Sequence, residues 1–187
     1  MVDRVDGYAL VAIDMQEAFR LPESEWFVPR YDEAARRICQ LRPLFDDRVV
    51  LTRFISPVEP AGMWAGYYRR WPFALLPDDD PLYRLSADFA DWSCPVVTMT
   101  TFGKWGPQLA AAIPDGHGMV LTGVSTDCCI LATALAAADA GIHVKVVADA
   151  CAGVTDTDHQ RALDAMALFG PLIEITTTDD VQRELAG

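Results

Sequence analysis

The sequence predicts an α/β protein, a three-layer α/β/α sandwich around a mainly parallel, Rossmann-like sheet of six strands. Three observations carry that prediction. Short apolar runs such as Tyr8–Ile13 (YALVAI) and Val49–Phe54 (VVLTRF) read as strands buried on both faces. Segments of helical spacing separate them, and such alternation implies parallel pairing with right-handed crossovers and helices on both faces. With 187 residues, 51% of them hydrophobic, the chain suits one core, so residues 1–187 are expected to form a single domain.

Each element has its own warrant. Asp14 ends the first strand at the carboxyl edge, where open α/β sheets bind ligands, so it is a candidate for chemistry; a turn or helix N-cap aspartate is the plainer alternative. Residues 32–45 follow helical spacing, with Ala34, Ile38, Leu41 and Phe45 on one side, Cys39 near that side and Pro43 disturbing the last turn. After the second strand, residues 55–91 are rich in proline and aromatics, including Trp64, Tyr67, Trp71 and Tyr83. A connection of that length is a lid, a binding loop, or an aromatic flap packed on the domain or a neighbouring subunit. Residues 95–99 form a third strand. Lys104 follows in a loop beyond its carboxyl end, between Phe102 and Trp105, as a functional or simply solvated lysine. A short helix then carries Leu109 and Ile113.

Residues 119–151 (MVLTGVSTDCCILATALAAADAGIHVKVVADAC) organise the rest. A strand begins at Met119, turns at Gly123-Val124-Ser125-Thr126-Asp127, and enters a helix over 128–140 that Thr126 or Asp127 would cap and Gly141 would close. A thiol where a strand turns into a helix meets backbone N–H groups and the positive helix end, which would lower its pKa from about 8.5. Cys128 or Cys129 is therefore a candidate nucleophile. The alanine-leucine helix must be buried, under its own sheet or in a subunit interface, which makes a homo-oligomer plausible. The fifth strand, residues 144–148, places Lys145 at an exposed or edge position and ends at Asp149, a reserve acid/base. Residues 156–169 are amphipathic, with Ala162, Leu163, Met166 and Phe169 inward, and 172–176 is the last strand.

Charge and composition exclude several functions. A net charge of −12 with only 15 Lys and Arg argues against nucleic acid and anionic membrane. The N-terminal apolar run has acids at both ends, and no segment approaches about 20 apolar residues, so a cytoplasmic protein without a membrane span is expected. Five cysteines without a Cys-x-x-Cys read as reduced thiols. His117, His143 and His159 stand far apart, so a transition-metal site is not expected, and no cofactor is.

Two motifs carry a family resemblance. LVAIDMQEAF (residues 10–19) is similar to the opening strand of the isochorismatase-like cysteine hydrolase superfamily, which includes nicotinamidases and other amidohydrolases, with its Asp-x-Gln and following Phe. GVSTDCCILATALAAADAGIHVKVVADA (residues 123–150) resembles that family's Gly-Val-x-Thr-Asp-x-Cys signature almost residue for residue. In this register the nucleophile falls on Cys129. The family's lysine place falls near Thr98 or Met99, so Lys104, the only lysine besides Lys145, comes several residues late in that role. The metal ligands of nicotinamidases, an Asp-x-His and a further His, are replaced by Arg53-Phe54-Ile55 with no histidine before His117, which argues against nicotinamide.

The resemblance implies a Cys129–Asp14–Lys104 triad that hydrolyses the C–N bond of a small amide through a thioester. Asp14 would be a base whose apolar strand raises its pKa while Lys104 balances its charge. Backbone N–H groups of Ser125 and Cys129 would form the oxyanion hole, beside a cis peptide joining Val124 to Ser125. Phe19, Trp64 and Trp105 would wall the substrate pocket. Three rivals remain: vinyl-ether cleavage of the isochorismatase type, thiol–disulfide exchange at Cys128-Cys129, and a catalytically silent binding or scaffold subunit.

Overall fold

The computed structural model describes residues 7–113 and 118–186; His117 lies outside them. Six parallel strands form one sheet: β1 (Tyr8–Ile13), β2 (Val49–Phe54), β3 (Val96–Met99), β4 (Gly118–Val124), β5 (His143–Ala152) and β6 (Ile173–Thr176). Their order is β3-β2-β1-β4-β5-β6. The chain therefore winds outward from β1 in one direction, then returns to the middle and winds outward in the other. The reversal falls between β1 and β4, where crossovers leave on opposite faces and open a crevice at the carboxyl edge.

β1 explains the two cores. Leu10 and Ala12 face one side, where α2 (Tyr31–Leu41) packs through Tyr31, Ala34, Ala35 and Ile38, and α8 (Thr178–Ala186) adds Val181. Ala9, Val11 and Ile13 face the other, under α5 (Pro107–Ala112), α6 (Leu131–Asp139) and α7 (Asp156–Ala167). The period of two along a strand flanked on both sides by others leaves every residue of β1 buried.

Several expectations are corrected here. α2 ends at Leu41 and a 3-10 turn, Arg42–Leu44, takes over at Pro43, whose ring is incompatible with a continuing helix. Lys145 is buried, because β5 lies between β4 and β6. Its ammonium sits 3.0 Å from Glu174 and 2.9 Å from Glu184. β5 continues past Asp149 to Ala152 through a register shift against β4. Asp149 accepts hydrogen bonds from the Thr178 N–H (2.7 Å) and hydroxyl (3.0 Å), which anchor the start of α8. α7 stops at Ala167, so Phe169 falls beyond it and is 42% exposed. α8 went unread from the sequence, although Thr177-x-x-Asp180 is a capping-box pattern and the Asp180 N–H donates to Thr177 Oγ1.

Residues 55–91 carry α3 (Met63–Arg70), α4 (Ala87–Ala90) and two 3-10 turns. Gln16 explains why this long connection is ordered. Its buried amide donates to the carbonyls of Phe54 (2.9 Å) and Tyr83 (2.8 Å) and accepts from the Phe54 N–H (2.8 Å), tying the end of β2 to the returning loop. A third apolar cluster, Phe54, Tyr68, Ala74 and Tyr83, then lies over the carboxyl edge of the sheet.

Candidate functional site

Asp14 follows β1 in a left-handed conformation, φ +50°, which a non-glycine residue adopts rarely and mostly at functional positions. Thr52 of β2 holds it there. The threonine Oγ1 accepts from the Asp14 N–H at 3.1 Å and donates to Oδ1 at 2.6 Å. Oδ2 accepts no hydrogen bond of good geometry, and Lys104 Nζ stands 3.0 Å from it. Both side chains are 0% exposed.

Lys104 reaches this point despite coming late in the sequence. Its N–H donates to Thr133 Oγ1 (2.9 Å), and that hydroxyl donates to the Cys129 carbonyl (2.6 Å), so one α6 side chain locks the lysine loop to the thiol segment. The ammonium donates to the Thr101 carbonyl at 2.5 Å and lies 5.0 Å from the Phe54 ring centroid, a cation–π arrangement.

The thiol segment leaves β4 through a Val124–Ser125 peptide that is cis and enters a π-helical turn, Thr126–Ile130, ahead of α6. The Ile130 N–H donates to the Ser125 carbonyl at 3.1 Å, the wider closure that defines this turn. Neither expected cap acts as one. Thr126 bonds His159 Nδ1 at 2.8 Å, and Asp127 Oδ1 accepts from the Val154 N–H at 3.2 Å, because both point toward the β5–α7 connection. Gly141 does close α6, with φ +85°.

Cys129 is 4% exposed. Burial first, then the negative charge of Asp14, push its thiol well above the ordinary range, and Lys104 only partly offsets them. The expectation of a depressed pKa is thus corrected: in this dry setting the cost of desolvating a thiolate outweighs the helix end. Cys128, half-buried, is raised for the same first reason and by Asp127.

A cavity of about 280 Å³ opens above the thiol. Ser125, Cys128 and Cys129 contribute to its lining, with aromatic walls from Phe19, Trp26, Phe54, Tyr67, Trp71 and Phe102. Of the expected walls, Phe19 is in place. Trp64 stands one layer back, 5.1 Å from the Phe102 centroid and 5.3 Å from that of Tyr67, because α3 turns Tyr67 to the cavity. Trp105 packs instead on the core beneath α5 and α6. Trp26, in the coil after α1 (Glu17–Arg20), was missed; Ser24-Glu25-Trp26-Phe27 shows no periodicity that would place it. It stacks on Phe19 at 5.9 Å and meets Phe54 edge-on at 5.6 Å. Asp14 and Lys104 lie behind this wall.

Residues 8–180 match the isochorismatase domain family. The chain belongs to that family. Isochorismatase domain-containing protein 2 of Xenopus laevis is 31% identical over 185 residues, 95% of this chain and 75% of that protein. Isochorismatase domain-containing protein 1 of Danio rerio is 39% identical over 93 residues, covering 48% of this chain and 32% of that protein. Among solved structures, a cysteine hydrolase from Pseudomonas syringae superposes with a TM-score of 0.85 at 20% identity, covering 97% of this chain and 93% of that one. Pyrazinamidase of Pyrococcus horikoshii in complex with zinc gives 0.71 at 23% identity, over 91% and 99%. These two likenesses concern the fold. Among the described residues no three His, Cys, Asp or Glu side chains stand grouped to hold a metal ion, and Arg53 is engaged with the carbonyls of Tyr83 and Asp78. Among the same residues no helix is long and apolar enough to cross a membrane.

Proposed function

We propose that this isochorismatase-family chain is a cysteine amidohydrolase acting on a small amide, with Cys129 as nucleophile, Asp14 as acid/base and Lys104 as the charge that holds Asp14. The observation that carries this reading is the fully buried Lys104–Asp14 pair, 3.0 Å apart, whose charges are felt by the Cys129 thiol. Two ions removed from water cost several kcal/mol each, and a fold gains little stability from keeping them. Their use lies in chemistry beside a neutral thiol.

The elevated thiol pKa means that the proton must leave in the reaction itself, toward a base already in place. Asp14 Oδ2, ion-paired with Lys104 but accepting no hydrogen bond, is the acceptor, since Thr52 occupies Oδ1. As the sulfur adds to the carbonyl carbon, Asp14 takes the thiol proton, and the carbonyl oxygen draws on the backbone N–H groups of Ser125 and Cys129. Collapse breaks the C–N bond, the nitrogen leaves as the amine with the proton from Asp14, and a Cys129 thioester remains. Water then adds, its proton passing to Asp14 and back to sulfur, releasing the acid. We also propose that the working form is a homo-oligomer, a reading supported by Leu168, Phe169 and Leu172, exposed together where α7 turns toward β6.

Incubation with a panel of aromatic primary amides, followed by intact mass spectrometry and ammonia assay, tests the reaction. An acyl adduct that maps to Cys129, with ammonia release lost in Cys129→Ala, is expected. Turnover that survives Cys129→Ala would refute it, and a loss of two hydrogens without an adduct would point to dithiol chemistry at Cys128-Cys129.

A further inference from the structure

We infer that the cavity above Cys129 selects amides bearing a cationic group remote from the scissile bond, and that Glu25 is the residue that reads this charge. The inference rests on the amidase reading for the reaction, though not for the binding. It starts from an asymmetry in the lining. Among the described residues no Lys, Arg or His faces the cavity, and Glu25 is its only carboxylate. Lys104 lies behind the wall, already paired with Asp14. Arg70 lies over the Trp71 ring, 5.5 Å from its centroid, outside the lining. An anionic substrate would shed its water here without gaining a counter-charge, which is costly.

The rest of the wall favours the opposite sign. Trp26 adjoins Glu25 in sequence, and its ring forms a corner with Phe19, Phe54 and Phe73 at centroid distances of 5.9, 5.6 and 5.1 Å. Trp71 and Tyr67 also face the cavity. Electron-rich ring faces attract ammonium groups, most strongly where water is thin. Glu25 itself has no hydrogen-bond or ion-pair partner among the described residues, and it is exposed while Cys129 is buried. The carboxylate therefore marks the mouth and the sulfur the floor. A substrate must present its amide inward and its positive end outward. The volume, about 280 Å³, lies just below the usual span of ligand pockets and limits it to a compact molecule, roughly one ring with short arms. A net charge of −12 adds a field that draws cations in.

Three amides of matched shape test this: 4-(aminomethyl)benzamide, 4-methylbenzamide and 4-carboxybenzamide. Their affinities are measured by tryptophan fluorescence on the intact Cys129→Ala protein, which removes turnover from the comparison. The cation should bind at least tenfold more tightly than the neutral amide and the anion least, with the preference shrinking as salt is raised. Adding Glu25→Gln should bring the cation-to-neutral ratio near one, and Glu25→Lys should favour the anion. Equal binding of all three, binding of none, or a ratio that survives Glu25→Gln would each overturn the inference. If the order holds but the wild-type protein releases no ammonia from any of them, the cation site stands and the amidase reading falls.

Discussion

Lys104 is held by what it would destroy if removed. Lys104→Met leaves Asp14 buried, still tied to Thr52, with no opposite charge nearby. Loss of one partner of such a pair costs roughly 3–5 kcal/mol, and any Cys129-dependent turnover should vanish with it. Asp14→Asn added to Lys104→Met removes the orphaned charge. The double variant should recover most of the stability in urea unfolding and none of the activity. If the double variant were as unstable as the single, the pair would be a structural device and the catalytic reading would weaken. Asp14 and the Cys128-Cys129 pair stood out in the sequence because each comes where an apolar strand ends, and the choice of Cys129 within the pair came from the family resemblance. Thr52 and Thr133 did not stand out. They act on partners 38 and 29 residues away, through hydroxyls that look like any other threonine in a strand or helix.

At the scale of elements, the site depends on how closely β4 lies against β1. Gly123 pairs with Ile13 and has φ +113°, and a Cβ built on it would stand 2.2 Å from the Ile13 carbonyl oxygen and 2.6 Å from its nitrogen. Backbone on backbone cannot yield as a side-chain tip can. Gly123→Ala would force β1 and β4 apart where Asp14 and Ser125 leave them. We expect a loss of at least about 3 kcal/mol, the sum of left-handed strain and a core displacement. Gly141→Ala makes the comparison sharp, since its φ is +85° but nothing lies within 4 Å of the added carbon. It should cost only about 1–2 kcal/mol. Similar losses in both, measured by denaturant midpoints, would show that conformation alone matters at Gly123. The inner strands β1, β2 and β4 were readable because burial on both faces makes them mainly apolar runs, whereas the edge strands β3 and β6 are only partly buried and were readable as short β-branched runs. The aromatic wall was harder to read. Trp26 lies in coil, and the turn of α3 that presents Tyr67 in place of Trp64 depends on packing against residues that arrive from other elements.

For the whole molecule, the placement of thiols sets the response to pH. All five cysteines are free, and each has its pKa raised, burial being the first cause in every case: Cys39, Cys94, Cys128, Cys129 and Cys151. Tyr31, the buried first residue of α2, is raised for the same reason, against a hydrogen bond shared with Ser86 that lowers it. In the unfolded chain thiols ionise near ~8.5 and phenols near ~10. Above the first of these values the unfolded state gives up protons that the folded state retains, so the folded state binds more, and stability falls as pH rises. Below about pH 8.5 this contribution is fully present. It is lost first through the thiols and then, above about pH 10, through Tyr31 as well. Urea midpoints under reducing conditions should therefore hold level from pH 7 to 8 and decline steadily from 8.5 to 10.5. Cys151→Ala removes one fully buried thiol. It should lower stability at pH 7, where a packed side chain is lost, yet flatten the decline above pH 8.5. A decline of unchanged slope in that variant would mean that the alkaline response comes from general charge repulsion, which a net charge of −12 also supplies.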